Sequence, residues 1–592
     1  MKKLQMKLIV PLALLLVCMV YACQKDILNR PIQAALSPNI VANKAGVESL
    51  LIGTYSLLDG VGGIGGGIDA AGSNWLFGSV AAGDAYKGSE PSDGGNDALP
   101  VGNFNEATNN PYTTSKYTLC YDGVARSNDV LRTLALAKDI GADDVKRITG
   151  EARFLRGYYY FELKKMYNMI PYVDETATTN AQANIANDKD IWPNIEADLQ
   201  AGIDNIPVTQ AQKGRANKWV AVAYLAKAKM FQHKFAEAKT LFDNLIANGV
   251  KGTGAKFGLN VNYQSNFSPQ ATQKNSIESV FAAQASVNDN SGGNNGNTGD
   301  ELNFPYNSGP GACCGWFNPS QSLGNSFKTG ADGLPLFTTY NTGKRVSSKT
   351  DPYTGTLDPR IDITMGRPNI PYLDWGNPPA SWIRDPTDGV FNPRKNVYSS
   401  AEKGTNSSTE NYWAANEVTS NNVNLMRWSD VLLMAAEAEV EVGSVDKALD
   451  YVNQVRNRAA GTTWWVYKNS PYDPSKSTYT VQTTPADNYL IKPYPAGVFA
   501  DKNYARTAIH FERKLELAME GQRFFDLQRW DQGTGSMADE INAFFAYDIN
   551  INSQLTGAHF TKGRNEYYPI PQDQIDKSAS TGSGVLKQNP GY

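Results

Sequence analysis

Histidine and cysteine are scarce in this chain, and their scarcity excludes several kinds of site. The 592 residues include only 3 His and 5 Cys. No Cys-x-x-Cys or His/Cys spacing suited to zinc occurs. Neither a Gly-x-Ser-x-Gly elbow nor a His-Glu-x-x-His motif is present. The sequence therefore predicts no metal or other cofactor and no hydrolase of these common classes.

Charge is also sparse. Charged residues make up 19% of the chain, the formal net charge is −4, and there is no long run of Lys and Arg. A nucleic-acid-binding protein needs a basic face that displaces counterions. We therefore expect no nucleic-acid partner. Hydrophobic residues reach 41%, enough for a large core, and 52 Gly with 30 Pro predict long irregular segments.

The first residues are typical of an export signal. Lys2, Lys3 and Lys7 precede an apolar stretch, Leu8 to Val20, that is too short for a comfortable membrane span. The stretch ends at Val20-Tyr21-Ala22-Cys23, which resembles a bacterial lipobox. This resemblance implies a lipoprotein signal peptide over 1–22 and lipidation of Cys23, and the alternative is an ordinary secretory signal. No later segment has the roughly 18 apolar residues of a membrane helix.

Helical periodicity is strong in several segments. The predicted helices are Arg147–Tyr167, Trp192–Ile206, Trp219–Phe231, a helix through Ala236 and Leu245, a pair within Val431–Arg458, and one long helix over about Ala505–Trp530. Two of these units read as an alanine-rich helix, a short turn and a second helix. They resemble tetratricopeptide units, although each could be an ordinary helical hairpin.

Long loops separate the helices and contain many aromatic residues. The main loop segments, 61–115 and 251–425, are rich in Gly, Asn, Asp and Pro but are not purely polar. Loops of this length inside a compact domain are usually functional or disordered. The aromatic content favours function, because a sugar ring has an apolar face that an aromatic ring can cover.

Several blocks, in order along the chain, resemble the SusD/RagB family of surface lipoproteins. They are Arg153-Phe154-Leu155-Arg156-Gly157-Tyr158-Tyr159-Tyr160-Phe161, Ile170-Pro171-Tyr172-Val173, Gly214-Arg215-Ala216, Arg427-Trp428-Ser429-Asp430-Val431-Leu432-Leu433, Glu512-Arg513-Lys514 through Arg529-Trp530, and Tyr568-Pro569-Ile570-Pro571 with Gln588-Asn589-Pro590-Gly591-Tyr592. The resemblance implies a mainly α single domain over 23–592: a right-handed superhelix of tetratricopeptide-like helix pairs with a large irregular loop-rich half.

The same resemblance implies a function without catalysis. We expect a lipid-anchored protein of the outer membrane, facing the cell exterior, that binds an oligosaccharide or a peptide. We expect it to deliver that ligand to a SusC-type TonB-dependent transporter. The alternatives are a secreted lipoprotein glycoside hydrolase or peptidase on a helical scaffold, and a scaffold that makes only protein contacts.

Two loops are the best candidates for the ligand site because they resemble family loops near the ligand. One runs from Asn74 to Gly88 and the other from Gly315 to Gln321. The candidate ligand-binding residues are Trp75, Asp84, Tyr86, Trp316, Phe317, Trp375 and Trp382, with Trp316 ranked first. For any single Trp, the alternative is that it only fixes a long loop to the helices.

Two further features allow more than one interpretation. Cys313 and Cys314 either form a vicinal disulfide beside Trp316 or stay as two reduced, buried thiols. Glu512, Glu516 and Glu520 repeat at four residues and could be imagined as catalytic carboxylates. A glycosidase needs its two carboxylates on opposite sides of a bond. Because these three lie on one helix, we expect ion pairs that hold the helix to its neighbours.

Overall fold

The computed structural model describes residues 38–62, 65–311, 313–410, 415–469, 480–580 and 586–592. The predicted signal peptide and the lipid-attachment residue Cys23 lie outside the described residues. In the part that is described, no helix is both long and apolar enough to cross a bilayer.

Helices dominate the described chain. In chain order they are α1 Pro38–Val41, α2 Lys44–Tyr55, α3 Ala98–Asn103, α4 Pro111–Leu136, α5 Ala142–Tyr167, α6 Asn180–Ala183, α7 Trp192–Asn205, α8 Lys218–Phe231, α9 Phe235–Asn248, α10 Gln321–Ser326, α11 Ile361–Thr364, α12 Trp428–Val442, α13 Val445–Ala460, α14 Lys502–Glu516, α15 Arg523–Asp531, α16 Ser536–Asp548 and α17 Gln572–Ser580.

Strands are short and pair only in twos within the described residues. They are β1 Val61–Gly62, β2 Gly65–Gly66, β3 Ser279–Ala283, β4 Met365–Gly366, β5 Asn392–Pro393, β6 Val423–Arg427, β7 Tyr467–Asn469 and β8 Val481–Pro485. The antiparallel pairs are β1 with β2, β3 with β6, β4 with β5, and β7 with β8. The prediction of a mainly α chain is confirmed.

The helices pack mainly against helices that are near them in sequence, as the tetratricopeptide-like pattern predicts. Helix α5 packs on α4 and α7, α8 pairs with α9, α9 packs on α12, and α12 pairs with α13. Small residues make the close approach possible, since Ala221, Ala226 and Ala436 are fully buried at helix contacts. We call the region of these packed helices, together with α14, which packs on α12, the helical half.

One sequence prediction is wrong in detail. The helix predicted over Ala505–Trp530 is two helices, α14 and α15, separated by residues 517–522. Met519 and Gly521 have φ of +64° and +70°, values that end a right-handed helix. A side chain at 521 is also excluded, because its Cβ would lie 2.0 Å from the Ser73 carbonyl oxygen. The break comes from close contact with the segment around Ser73.

Candidate ligand-binding site

The two loops selected from the sequence lie side by side. Ala85 pairs with Pro319 and Gly88 pairs with Trp316 in antiparallel bridges. The Tyr86 N–H donates to the Asn318 carbonyl at 2.8 Å, and the Phe317 N–H donates to the Lys87 carbonyl at 2.6 Å. We call residues 84–89 and 315–320 the paired loops. Tertiary structure thus unites two segments that are more than 200 residues apart in sequence.

The aromatic residues of the paired loops are buried. The Trp75 ring makes edge contacts with Trp316 and Phe317, at centroid distances of 5.7 and 5.8 Å. Trp316 is 2% exposed, so protein atoms cover both faces of its ring. This burial favours a role in fixing the loops. Direct contact of Trp316 with a ligand stays a prediction, and in this conformation its ring is closed to a sugar.

Asp84 holds the paired loops to the break between α14 and α15. One carboxylate oxygen, Oδ2, accepts hydrogen bonds from Ser79 Oγ at 3.2 Å and from the Met519 N–H at 3.1 Å. Burial raises the pKa of Asp84 to about 6, although Arg523 opposes the shift. These hydrogen bonds are with the protein itself, so they give Asp84 a structural role that requires no contact with a ligand.

Tyr86 plays a similar part at α16. Its hydroxyl donates to Asp548 Oδ2 at 2.6 Å and accepts from the Gln321 N–H at 3.1 Å. Burial raises the pKa of Asp548 to about 6. Tyr86 is fully enclosed. As with Asp84, its contact with a ligand stays a prediction.

Trp375 and Trp382 belong to a neighbouring cluster in the loops. Trp382 is buried against Tyr372, with ring centroids 5.3 Å apart. Trp375 is half-buried, and its Nε1–H donates to the Tyr398 carbonyl at 2.9 Å. Of the seven predicted ligand-binding residues, Trp375 is the one that is not buried. The hypothesis of direct stacking is therefore strongest there.

Beside the paired loops lies a polar surface that sequence reasoning missed. Arg384 Nη1 donates to Asp93 Oδ2 at 2.9 Å and to Ser89 Oγ at 3.1 Å. The guanidinium carbon lies 5.2 Å from the Tyr306 ring centroid. The side chains of Arg384, Asp93 and Glu90 are 24%, 33% and 52% exposed. We call Glu90, Asp93, Tyr306 and Arg384 the rim.

The buried loop residues hold the rim in position. Trp316 Nε1–H donates to Asp93 Oδ2 at 3.0 Å. Lys87 Nζ donates to the carbonyls of Glu90 at 3.0 Å and Asp93 at 2.5 Å, and it lies 4.8 Å from the Trp316 ring centroid. Burial lowers the pKa of Lys87 to about 8. Trp316 and Lys87, which are both buried, thus hold Asp93 in position through these hydrogen bonds.

A glycine is required directly after Asp93, where the backbone passes close to the Trp316 ring. Gly94 has φ of +62°, and a Cβ there would lie 2.5 Å from Trp316 Cη2. Sequence reasoning missed the rim because its four members are spread over 295 positions. The sequence feature that could have indicated the rim is Tyr306, an aromatic residue in a Pro-containing loop shortly before Trp316.

Cys313 and Cys314 are joined by a disulfide in the structure. Of the two interpretations left open by the sequence, the structure has the oxidised one. Cys313 is half-buried, Cys314 is buried, and the remaining free cysteine among the described residues, Cys120, is buried. Within the described chain, the one cluster of metal-ligand type is Cys313, Cys314 and Glu417, and both sulfurs there belong to the disulfide.

Glu512 and Glu516 of α14 make ion pairs, as predicted, whereas Glu520, expected on the same helix, lies in the break after α14 and pairs with Lys395 and Arg427. Glu512 contacts Arg360 at 2.7 Å and Arg456 at 2.8 Å, and Glu516 contacts Arg427 at 3.1 Å and Arg360 at 3.0 Å. Burial by itself would raise the pKa of Glu516, but Arg458, Arg427 and Arg360 outweigh it and hold that pKa well below its usual range. Both glutamates are fully buried.

Comparisons with known proteins agree with this architecture. The family model described as the SusD family matches residues 277–592, and a model described as "Starch-binding associating with outer membrane" matches residues 90–230. SusD-like protein P2 of Formosa agariphila is 23% identical over 505 residues, which is 83% of each chain.

Solved structures share the fold. A SusD superfamily protein from Bacteroides vulgatus has a TM-score of 0.64 at 19% identity, covering 93% of this chain and 99% of its own. Surface glycan-binding protein A from Bacteroides thetaiotaomicron, in complex with laminarihexaose, has a TM-score of 0.57 at 19% identity, with 92% and 99% covered. Since the SusD family model matches more than half of the chain, the protein belongs to the SusD family.

Proposed function

We propose that this protein binds an oligosaccharide at the rim, on the cell surface, and delivers it to a SusC-type TonB-dependent transporter. The observation that carries the proposal is the rim itself. It combines an aromatic ring, a guanidinium and two carboxylates, all partly exposed, on a surface fixed by the paired loops. A structural relative with the same fold has been solved with laminarihexaose.

These groups match the chemistry of a sugar. The face of the half-buried Tyr306 ring can cover the C–H face of a pyranose. The guanidinium of Arg384 donates to hydroxyl oxygens, and the carboxylates of Asp93 and Glu90 accept from hydroxyl hydrogens. Because Arg384 and Asp93 already hold each other at 2.9 Å, little ordering is needed when a ligand arrives. No bond of the ligand is broken in this proposal.

Delivery to a transporter requires the protein to stay at the outer membrane. We propose that a lipid on Cys23 provides this anchor. The family description "associating with outer membrane" supports it. In cells that carry Cys23→Ala, we expect the protein to leave the membrane fraction. Unchanged membrane association of this variant would contradict the anchor. Co-purification of a TonB-dependent transporter from detergent-solubilised membranes tests the partner.

Calorimetric titration of the purified protein tests the rim. The ligands are laminarihexaose, maltohexaose and cellohexaose. We expect Arg384→Ala and Tyr306→Ala to weaken binding of the best hexaose more than tenfold, the loss typical of a central contact residue. The matched control is Arg506→Ala, because Arg506 is a partly exposed arginine that pairs with Glu441 on the helical half. Folded rim variants that bind as well as the control would contradict the proposal.

A further inference from the structure

A second concave site lies where the connection between α7 and α8 meets the loop segment that follows α9. It is a cleft of about 560 Å³ beside the segment that joins α7 to α8. The walls are formed by residues 210–215 and 217, by 251–253, by 271, 272, 274 and 275, and by part of β3. Its volume falls within the range of small-molecule sites, about 300–1,000 Å³. None of its lining residues belongs to the rim or to the paired loops.

The charges that line this cleft all have one sign. Lys213, Arg215, Lys251 and Lys274 line it, whereas no Asp or Glu is among its described lining residues. Arg215 is neutralised from behind by Glu48 at 2.8 Å and Glu151 at 3.1 Å. The net positive charge of the cleft therefore comes from the three lysines.

Two of those lysines are half-buried and bonded to backbone carbonyls. Lys251 Nζ donates to the carbonyls of Asn275 and Ser276. Lys274 Nζ donates to the carbonyls of Ala285 at 2.6 Å and Ser420 at 3.0 Å. An ammonium group has three N–H donors. Each lysine therefore retains one donor beyond those two carbonyls.

The electrostatic state of these lysines supports an anionic ligand. Burial and the nearby Lys213 lower the pKa of Lys251 to about 8, and burial lowers the pKa of Lys274. Both shifts have the sign expected for a cation that is desolvated without sufficient anionic compensation. A bound anion would supply that compensation. Lys213, the third lysine of the lining, is exposed.

The rest of the lining is suited to a sugar. Phe257, Val280 and Phe281 are also part of the lining, and each of them is more than 90% buried. Gln210, Asn217 and Asn275 contribute side-chain amides, which both donate and accept hydrogen bonds. Amide groups of this kind can bond the hydroxyl groups of a sugar as donors and as acceptors.

We propose that this cleft binds an acidic saccharide unit, whose carboxylate or sulfate ester lies against Lys213, Lys251 and Lys274. The cleft is a second site, separate from the rim, and its ligand is selected by negative charge. The proposal does not depend on the function of the rim.

Titration with three probes tests this assignment on the full chain at low salt. The probes are digalacturonic acid, a sulfated disaccharide and, as the neutral control, maltose. We expect at least one acidic probe to bind and maltose to bind at least tenfold more weakly. The exposed lysine variant Lys213→Glu should weaken acidic binding more than tenfold, and Lys251→Gln should do the same. Affinity should fall as NaCl is raised, because the contact is ionic.

Matched variants separate the outcomes. The acidic titrations are repeated in the Arg384→Ala background, which removes any contribution of the rim, and Lys256→Glu, an exposed lysine outside the cleft lining, serves as the charge control. If Lys251→Gln does not fold, the affinity of Lys213→Glu for the acidic probes tests the proposal by itself. Acidic binding that survives Lys213→Glu would overturn the proposal, as would the absence of binding by both acidic probes. Inorganic sulfate that binds as tightly as the acidic sugars would overturn the saccharide assignment.

Discussion

The helical half and the loop half provide hydrogen-bond partners for their buried backbone groups in different ways. In the helical half, backbone groups bond within the helices, and Ala221 and Ala226 let those helices touch. In the loop half, buried cations take up the carbonyls of irregular backbone. Lys328 Nζ donates to the carbonyls of Tyr340, Thr342 and Lys344, and Lys395 Nζ to that of Ala518. Irregular backbone can therefore be buried, provided that side chains supply the missing donors.

The two halves meet at the ion pairs of α14. Glu512 and Glu516 come from the helical half, Arg360 comes from the loops, and Arg427 joins β6 to α12. A buried charge that loses its partner is far costlier than a lost surface pair. We call these ion pairs the seam between the two halves.

The largest effect is expected from Glu516→Ala. The change leaves Arg427, Arg458 and Arg360 buried with less compensation, so the free energy of unfolding should fall by about 3–5 kcal/mol. Urea denaturation followed by circular dichroism measures it. The control is Glu237→Ala, which removes an exposed carboxylate from its pair with Lys229 and should change stability by about 1 kcal/mol or less. Equal effects of the two variants would contradict the role of the seam.

Trp316→Ala tests whether a loop tryptophan behaves like one in the helical half. Because Trp316 is buried, we expect a loss of about 3 kcal/mol or more in the free energy of unfolding, similar to Trp219→Ala in α8. Affinity for the best hexaose is then measured on the folded fraction. An unchanged midpoint together with more than tenfold weaker binding would contradict the structural role and restore the stacking hypothesis.

A smaller effect concerns the pH dependence of the loop half. Burial, with Asp385 nearby, raises the pKa of Asp388 to about 8, while Lys87 opposes the shift. A carboxyl that binds its proton more tightly when folded stabilises the protein at low pH, and this contribution is lost as pH rises through about 8. Asp388→Asn should therefore flatten the fall in thermal midpoint between about pH 5 and pH 9. A pH profile identical to that of wild type would contradict the shifted carboxyl, and exposed Asp450→Asn is the control.

The smallest effect is expected from reduction of Cys313–Cys314. A disulfide stabilises partly by restricting the unfolded chain, and adjacent residues close almost no loop. Without reductant, the denatured protein beyond residue 23 should offer one blockable thiol, which peptide mapping places at Cys120. Intact-mass analysis before and after reduction counts the thiols. Three blockable thiols in the unreduced protein would show that the bond is absent in solution.

Local pattern was a good guide wherever packing agreed with it. Helix α8 carries apolar or alanine residues on nearly every face. The helix predicted over Trp219–Phe231 differs from it by one residue at the N-terminus. Helix α4 was not predicted, because its Thr, Ser, Tyr and Gly residues have poor helix propensity and its apolar residues form no clear stripe. Tertiary contacts with α5 stabilise it instead. The break after Glu516 cannot be predicted from local pattern either, because contacts of the Met519 and Gly521 backbone with the segment from Ser73 to Asp84 produce it.

The amino-acid sequence by itself determined the mainly helical class, the helix pairs, the family resemblance, and the two loops that pair beside the candidate site. These follow from short-range spacing and from ordered motifs. Tertiary structure alone decided that Trp316 is buried and that Asp93, Tyr306 and Arg384 come together as the rim. The physical reason is that exposure depends on what a long loop packs against, and residues far apart along the chain supply those contacts.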